Sequence, residues 1–438
     1  MKPKLYWETM KLQLMEKKYR KIYLGNIYVT KNTDTNEDVK DVTEYQVVNI
    51  KKAGTYRISG SISNGQIAVD AGNSDEVKLI LDGVDITCKT APAIIIYNAL
   101  DNQKEGEAGV TISLADNSEN KITGSHLPKK ATYTVNGESK THSKKYDGAI
   151  SSDVSLILDG NGKATINADN EGIEVKLHLT INGGNYEIIS KDDGINANED
   201  NVSVITINDG TIYVNVSDDG EEGDGIDSNG YIYVNGGTIY AFAHKTSPDS
   251  GLDSDCGIYI NGGTVIGTGN MADEISTDSK QKYIYIQLAN KISAGTLVAI
   301  TDKNDNPIMA YRTEKQYQVL LFSSSDLDTD SYNVYTGGDI QGESTNGLYT
   351  KITSYTKGTE ANYSETNGGM GMMGGQRKRF DGNDPRDFNR NMQNENTTSS
   401  NDNTMIIAVA CIIIAVIATA VTIFVIVKNE KKIKNNEV

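Results

Sequence analysis

The chain has 438 residues and a formal net charge of −17 at pH 7. A surface of this sign excludes nucleic acid as a partner, because binding to phosphate needs a basic surface. The charge serves solubility, and it also suits cations or a surface bridged by cations. Tyrosine occurs 24 times against 5 phenylalanines and 1 tryptophan, which suits exposed β-strands.

Residues 1–45 form a polar, charged lead-in, with a helical stretch expected around residues 10–21. An exported protein needs an apolar leader, but charges interrupt every apolar run in this region. We therefore expect that a signal sequence is absent or that the start of the chain is misplaced.

A short phrase built around glycine recurs five times in the middle of the chain. Its copies are Asp147-Gly-Ala-Ile, Glu171-Gly-Ile, Asp193-Gly-Ile, Asp224-Gly-Ile and Ser250-Gly-Leu. The copies recur every 22 to 31 residues, and each is followed by an apolar alternation and a second glycine turn. A repeat of this length, with strands and no helical period, predicts an all-β solenoid over residues 46–270.

In each repeat, two apolar residues stand two positions apart. A third apolar residue follows the second turn. Because side chains of a strand alternate between its faces, these residues are predicted to form internal columns. The columns are Leu156, Leu179, Ile205, Ile232 and Ile258; Leu158, Ile181, Ile207, Val234 and Ile260; and Ala164, Tyr186, Ile212, Ile239 and Val265. A polar ladder is predicted at the turn, made of Asp159, Asn182, Asn208, Asn235 and Asn261.

The regular repeat lapses after residue 270. Residues 271–355 are predicted to be a C-terminal β cap, and residues 356–404 a disordered stalk rich in glycine, methionine and asparagine. Residues 405–427 carry no charge and span about 34 Å as a helix, enough to cross one bilayer. The lysine-rich tail 428–438 is then cytoplasmic, and the acidic region lies outside the cell.

Acidic residues cluster at one corner of the middle repeats, where we predict a calcium site. The predicted ligands are Asp192, Asp193, Asp218, Asp219, Asp224, Asp227, Asp253 and Asp255. Calcium takes roughly six to eight oxygen ligands, and strands about 4.8 Å apart bring carboxylates of neighbouring repeats around one ion. The alternative is that each Asp-Gly only makes a turn, with the aspartate bonded to its own backbone.

Outward-facing tyrosines are the predicted contacts for a sugar. They are Tyr213, Tyr233, Tyr240 and Tyr259. A flat aromatic face stacks on a sugar ring while the hydroxyl forms a hydrogen bond. The alternative is that tyrosine simply suits a half-exposed strand.

A lysine beside the acidic cluster is the one candidate for catalysis. A lyase needs a base to take the proton beside a uronate carboxylate, with calcium neutralising that carboxylate. Lys191 is a weak candidate for this base, and Lys176 and Lys245 are further ones. The alternative, which we favour, is that these lysines only pair with nearby carboxylates.

The phrases resemble those of a bacterial family of calcium-binding carbohydrate-binding domains, built on a right-handed parallel β-helix and similar in fold to polysaccharide lyases. The resemblance covers about residues 45–355 and includes the Asn-Gly-Gly-Thr turns and Leu79-Ile-Leu-Asp-Gly-Val-Asp-Ile-Thr. It implies binding of calcium and of plant polysaccharides such as cellulose and pectin. Glu171 and Ser250 depart from the aspartate of the phrase, so the ion is expected in the middle repeats.

The sequence therefore predicts a membrane-anchored cell-surface protein that binds polysaccharide of plant cell walls or of the bacterial wall. Calcium is expected between the stacked repeats. Two alternatives stay open. One is a calcium-dependent polysaccharide lyase of the pectate type, and the other is a structural or adhesion protein without sugar affinity.

Overall fold

The computed structural model describes residues 11–14, 27–35, 43–101, 104–127, 132–135, 138–141, 144–312 and 315–367. These residues belong to one compact unit, Met1–Phe380. Every regular element within the described ranges is a β-strand, so the all-β prediction is confirmed for them. The same ranges contain no helix that is long and apolar enough to cross a membrane. The predicted membrane segment 405–427 and the tail 428–438 lie outside them.

The strands before the first phrase already form much of the fold. They are β1 (Lys11–Leu14), β2 (Ile27–Thr35), β3 (Thr43–Ile50), β4 (Gly54–Ile62), β5 (Gly65–Asp70), β6 (Val77–Thr87), β7 (Ile94–Asn98), β8 (Val110–Leu114), β9 (Glu119–Gly124), β10 (Thr132–Val135) and β11 (Glu138–Thr141). The helix expected around residues 10–21 is wrong for residues 11–14. They form β1, whose backbone pairs antiparallel with β4.

The five phrases head repeats of three strands each. These strands are β12 (Gly148–Ser152), β13 (Leu156–Gly160), β14 (Lys163–Ala168), β15 (Glu171–Val175), β16 (His178–Ile181), β17 (Asn185–Ser190), β18 (Ile195–Ala197), β19 (Val204–Ile207), β20 (Thr211–Val216), β21 (Ile226–Ser228), β22 (Tyr231–Val234), β23 (Thr238–Phe242), β24 (Leu252–Ser254), β25 (Gly257–Ile260) and β26 (Thr264–Gly269).

Equivalent strands of successive repeats pair parallel and form three ladders. The first ladder is β12, β15, β18, β21 and β24; the second is β13, β16, β19, β22 and β25; the third is β14, β17, β20, β23 and β26. Parallel pairing extends backwards through β7 and β5 to β3, so it begins at Gln46 rather than at the first phrase.

The predicted internal columns are confirmed. Leu156 pairs with Leu179 and Leu158 with Ile181, and the same register continues through the later repeats. Every member of the three columns is at most 2% exposed. Parallel strands in register therefore bury one apolar side chain directly above another along the whole stack.

The polar ladder at the turn forms among its four asparagines, whereas Asp159 Oδ2 lies 3.8 Å from Lys78 Nζ. The side-chain amide of Asn208 donates to Asn182 Oδ1 at 2.8 Å, and Asn235 donates to Asn208 Oδ1 at 3.0 Å. Asn261 donates to Asn235 Oδ1 at 3.0 Å. The bonds run between equivalent residues of neighbouring repeats, so they favour pairing in register.

Glycine is required at two positions of the repeat, for a different physical reason at each. The second glycine of each Asn-Gly-Gly turn has positive φ, for example 101° at Gly184. Gly194 of an Asp-Gly-Ile phrase is needed instead for close packing. A Cβ there would lie 2.0 Å from Val214 Cγ1 and 2.6 Å from the Gly225 carbonyl oxygen. The phrase glycine thus lets the first ladder approach the third.

Strands after residue 270 end the parallel stack. They are β27 (Tyr283–Ile292), β28 (Leu297–Thr301), β29 (Pro307–Arg312), β30 (Tyr317–Ser323), β31 (Asn333–Thr345), β32 (Leu348–Glu360) and β33 (Tyr363–Glu365). β30 pairs antiparallel with β26, and β28, β29, β31 and β32 close into a barrel.

The predicted start of the stalk at residue 356 is wrong. β32 continues to Glu360, and β33 pairs antiparallel with β27. A tertiary contact explains this strand, because the Tyr363 ring stacks on that of Tyr332 at 6.0 Å. Residues 368–404, the rest of the predicted stalk, lie outside the described ranges.

Candidate functional site

The first ladder carries a column of polar side chains beside its apolar column. Its buried apolar column is Ile150, Ile173, Ile195, Ile226 and Leu252. The next position in register holds Ser151, Glu174, Asn196, Asp227 and Asp253. Since equivalent residues of paired strands lie about 4.8 Å apart, this column brings carboxylates of neighbouring repeats close together.

The acids of two phrases, Asp193 and Asp224, lie just before this ladder and accept hydrogen bonds from the next repeat. Asp193 Oδ1 accepts a hydrogen bond from the Asp224 N–H at 2.8 Å. Asp224 Oδ1 accepts one from the Ser250 N–H at 2.5 Å. These aspartates therefore bond the backbone of the following repeat, whereas the turn interpretation expects a bond to their own.

Three carboxylates from these two positions converge. Asp224, Asp227 and Asp253 each offer one oxygen, and these oxygens all lie within 4.8 Å of one another. All three side chains are half-buried. We call this set the acidic cluster. It joins two repeats, since Asp224 and Asp227 flank the start of β21 and Asp253 lies in β24.

Burial and mutual repulsion raise the pKa values of Asp193, Asp224 and Asp227. The pKa of Asp227 rises to about 9, first through burial and then through the charges of Asp193 and Asp253. The pKa of Asp193 rises to about 7 through burial and the charge of Asp192. Burial and the Asp253 charge hold the pKa of Asp224 well above its ordinary value. The site therefore favours protons or a cation at neutral pH.

The acidic column continues one repeat earlier than the sequence analysis expected. Glu171 is 5% exposed, and burial and the Glu174 charge raise its pKa well above the ordinary value. The Asn196 side-chain amide donates to Glu171 Oε1 at 3.0 Å and to Asp193 Oδ2 at 3.2 Å. Glu171 Oε2 and Asn196 Oδ1 are buried oxygens that accept no hydrogen bond from a described residue.

Glu174 and Asn196 were missed by the sequence analysis, although a signal for them existed. They stand three residues after Glu171 and Asp193, as Asp227 does after Asp224. The repeated unit is thus an acid, a glycine, an apolar residue and a second acid or amide. Each of them directly follows the buried isoleucine of its phrase, so strand alternation would have placed all of them on the opposite, outer face.

Asp218 and Asp219 do not join the acidic cluster. Both are exposed; Asp219 Oδ2 lies 2.7 Å from Lys191 Nζ, and Asp218 Oδ2 lies 3.1 Å from Lys245 Nζ. The Lys191 amine lowers the pKa of Asp219 to about 2. The predicted common corner is therefore wrong for this pair, because the longest repeat carries the two residues out into a separate loop.

Asp192 and Asp255 border the cluster. Asp192 is half-buried, and burial and the Glu222 charge raise its pKa. Asp255 is exposed, and its charge contributes to the raised pKa of Asp227. Asp255 thus acts on the cluster directly, whereas the Asp192 charge raises the pKa of Asp193 beside it.

The candidate lysines pair with carboxylates, as the favoured alternative predicts. The Asp219 carboxylate raises the pKa of Lys191, and an amine held protonated does not remove a proton from substrate. Lys176 Nζ lies 3.0 Å from Glu174 Oε1. Burial lowers the pKa of Lys315, which the sequence did not single out, to about 8. Lys315 is only 7% exposed, and its amine donates to the Val216 carbonyl.

Half of the predicted tyrosine set lies on an open face. The Tyr233 and Tyr259 rings stack at 4.7 Å with an interplanar angle of 20°. Tyr231 extends the stack, with its ring 6.2 Å from that of Tyr233. All three are half-buried on β22 and β25, and each is adjacent in sequence to a residue of the buried columns. They form a tyrosine strip that joins two repeats.

The other half is covered, which corrects the prediction. Tyr240 is only 3% exposed, because it packs in a second hydrophobic cluster with Phe242 and strands of the C-terminal region. Tyr213 packs against the same cluster, its ring 5.6 Å from that of Phe242. Both side chains point away from the internal columns, but later strands cover the face that they share with Ile266.

Comparison with known proteins gives a family. A family model described as carbohydrate-binding domain-containing protein matches residues 44–313. A protein of that description from Acetivibrio thermocellus is 36% identical over 155 residues, 35% of this chain and 48% of that protein. The match thus spans about half the length of this curated relative.

One solved structure is also similar in part. It is described as the polysaccharide lyase-like protein from C. thermocellum in a gadolinium derivative, and it is 26% identical to this chain. The alignment covers 55% of this chain and 86% of that one, with a TM-score of 0.33. The family model itself takes in more than half of the chain, including all three ladders. The chain therefore belongs to the family of carbohydrate-binding domain-containing proteins.

Proposed function

We propose that this protein binds polysaccharide and that calcium, held by the acidic cluster, is required for binding. Membership of the family supports the carbohydrate part. The observation that carries the calcium part is the convergence of Asp224, Asp227 and Asp253 within 4.8 Å. Three like charges at this distance repel one another, and a divalent cation relieves that repulsion.

The donor set fits calcium in chemistry. The cluster offers carboxylate oxygens, which suit hard cations, and contains neither histidine nor cysteine. Asp193 would add a further carboxylate beside it. The buried oxygens Glu171 Oε2 and Asn196 Oδ1 extend the same column of ligands. When bound, calcium would supply positive charge able to hold an acidic sugar.

The tyrosine strip supplies the sugar-stacking surface of the proposal. β21, which carries Asp227, is followed after a short turn by β22, which begins at Tyr231. Cation ligands and aromatic rings thus come from adjacent strands of the same repeats. A polysaccharide with carboxylates, such as pectin, could meet both at once.

We further propose that the three ladders wind as a right-handed parallel β-helix. This proposal is supported by the strand order, because every repeat contributes one strand to each of the three ladders. Residues 405–427 would anchor this domain at the outer face of the cell membrane, with the tail 428–438 in the cytoplasm. Protease added to intact cells should then remove the acidic region and spare the tail.

The test is binding of the full-length protein to pectin and to cellulose, with and without a chelator. Asp227→Asn removes one charge of the cluster, and Asp219→Asn is its matched control in the exposed loop. We expect that chelation and Asp227→Asn each abolish pectin binding, whereas Asp219→Asn preserves it. Equal binding of pectin by the parent with calcium, the parent with chelator and the two variants would defeat the calcium proposal.

Two other outcomes select the alternatives. Release of unsaturated products that absorb near-ultraviolet light would establish a lyase. Absence of binding to either polymer, with calcium present and the fold intact, would favour a structural or adhesion role.

A further inference from the structure

A cavity of about 620 Å³ opens where the chain leaves the last repeat. Three segments line it: residues 279–283 with Tyr285, the loop 329–332, and residues 365–367. None of these residues belongs to the acidic cluster or to the tyrosine strip. The volume is in the range of cavities that hold small ligands.

Hydrogen bonds to the end of the parallel stack fix one wall of the cavity. Ser279 Oγ accepts a hydrogen bond from the Ile260 N–H at 3.1 Å. The Gln281 side-chain amide donates to the Gly263 carbonyl at 2.9 Å and to Ser323 Oγ at 2.7 Å. The wall is therefore preformed, which lowers the entropic cost of holding a ligand.

A tyrosine ring forms a supported platform on another wall. Tyr332 lines the cavity, and its ring stacks on that of Tyr363 behind it at 6.0 Å and 21°. The Tyr363 hydroxyl donates to the Tyr332 carbonyl at 3.4 Å. Tyr283 adds a second half-buried ring to the lining. Rings held in this way offer flat faces to the apolar side of a sugar.

The charges in the lining balance. Two lysines, Lys280 and Lys282, and two acids, Asp330 and Glu365, line the cavity. Lys282 Nζ lies 3.1 Å from Asp330 Oδ1. Glu365 also accepts a hydrogen bond from the Tyr332 hydroxyl. An anionic polymer gains no net attraction here, whereas a ligand rich in hydroxyl groups finds both donors and acceptors.

We propose that this cavity is a second carbohydrate-binding site, which takes a segment of neutral glycan without a cation. It goes beyond the proposed function, since it uses other residues, another chemistry and another end of the repeats. Two sites of different charge preference would let one protein hold a mixed polymer, with acidic sugar at the acidic cluster and neutral sugar here.

The test is calorimetric titration of the full-length protein with cellohexaose in the presence of a chelator. We expect binding that Tyr332→Ala weakens about tenfold, because the stacking platform is lost. Glu365→Gln changes an exposed side chain and should weaken binding without affecting the fold. Tyr349→Ala, which alters a half-buried tyrosine outside the cavity, is the matched control and should bind as the parent does.

Three results would overturn the proposal. The first is that the parent does not bind cellohexaose, and the second is that its binding depends on calcium. The third is that Glu365→Gln and a folded Tyr332→Ala both bind with the affinity of the parent. Should Tyr332→Ala fail to fold, Glu365→Gln decides alone. Loss of calcium-dependent pectin binding would leave this site untouched, so the two proposals fail separately.

Discussion

The Asp224 N–H donates a hydrogen bond of 2.8 Å to Asp193 Oδ1, and the two residues occupy the same position in consecutive repeats. Asp224 in turn accepts from the Ser250 N–H. These bonds tie each repeat to the next and also gather buried negative charge at one corner. Stability is therefore expected to depend on what neutralises that charge.

Removal of calcium should lower the thermal stability of the protein. A cation bound only by the folded state, at about a hundredfold above its dissociation constant, stabilises by about 2.7 kcal/mol. We expect a lower melting temperature in chelator, measured by circular dichroism. Asp227→Asn should abolish this calcium effect, and Asp219→Asn should retain it. An unchanged melting curve on chelation would support the role of these acids as simple structural hydrogen-bond acceptors.

Without a cation, stability should fall as pH rises. The folded state raises the pKa of Asp227 from 3.8 to about 9 and that of Asp193 to about 7, so it binds protons more tightly than the unfolded chain. The resulting stability is fully present below about pH 4 and is lost as pH rises through the folded pKa values.

Urea unfolding in chelator at several pH values measures this slope. Asp227→Asn should flatten the dependence of the unfolding free energy on pH toward pH 9, because Asp227, which has the higher of the two pKa values, no longer titrates. The same slope in Asp227→Asn and parent would contradict the assignment to this carboxyl. General charge repulsion persists in both proteins, so their difference reports the Asp227 carboxyl together with its effect on the pKa of Asp224.

Gly194→Ala should destabilise the stack. The added Cβ would lie 2.0 Å from Val214 Cγ1 and 2.6 Å from the Gly225 carbonyl, and backbone in paired strands cannot yield easily. We expect a loss of about 1–3 kcal/mol or more in the free energy of unfolding. Gly72→Ala is the control, because its Cβ would meet only the side chain of Asp75 at 3.2 Å. Comparable denaturant midpoints for the two variants would show that the first ladder can move away.

Tyr233→Ala should weaken binding of pectin about tenfold, because it removes the central ring of the tyrosine strip. Tyr240→Phe should leave affinity unchanged, since Tyr240 is buried under the C-terminal strands. Affinity electrophoresis in calcium compares the two. Weaker binding in Tyr240→Phe than in Tyr233→Ala would mean that the wrong face has been chosen.

The site was only partly predictable from sequence. The acids at 224, 227 and 253 were selected from the density of aspartate, and the structure brings these three together. Asp218 and Asp219 met the same criterion but pair with lysines in a loop. Density of charge along a sequence does not distinguish a loop from a ladder position, because only the register between repeats decides which residues face each other.

The sequence by itself determined the strands of the repeats, the three apolar columns and the asparagine ladder. These follow from alternation at period two and from local glycine turns, both of which act within a few residues. Tertiary structure alone decided that Tyr240 is covered while Tyr233 is open, and that β33 extends the sheet beyond residue 356. Both depend on packing between segments far apart along the chain, for which a single sequence carries no periodic signal.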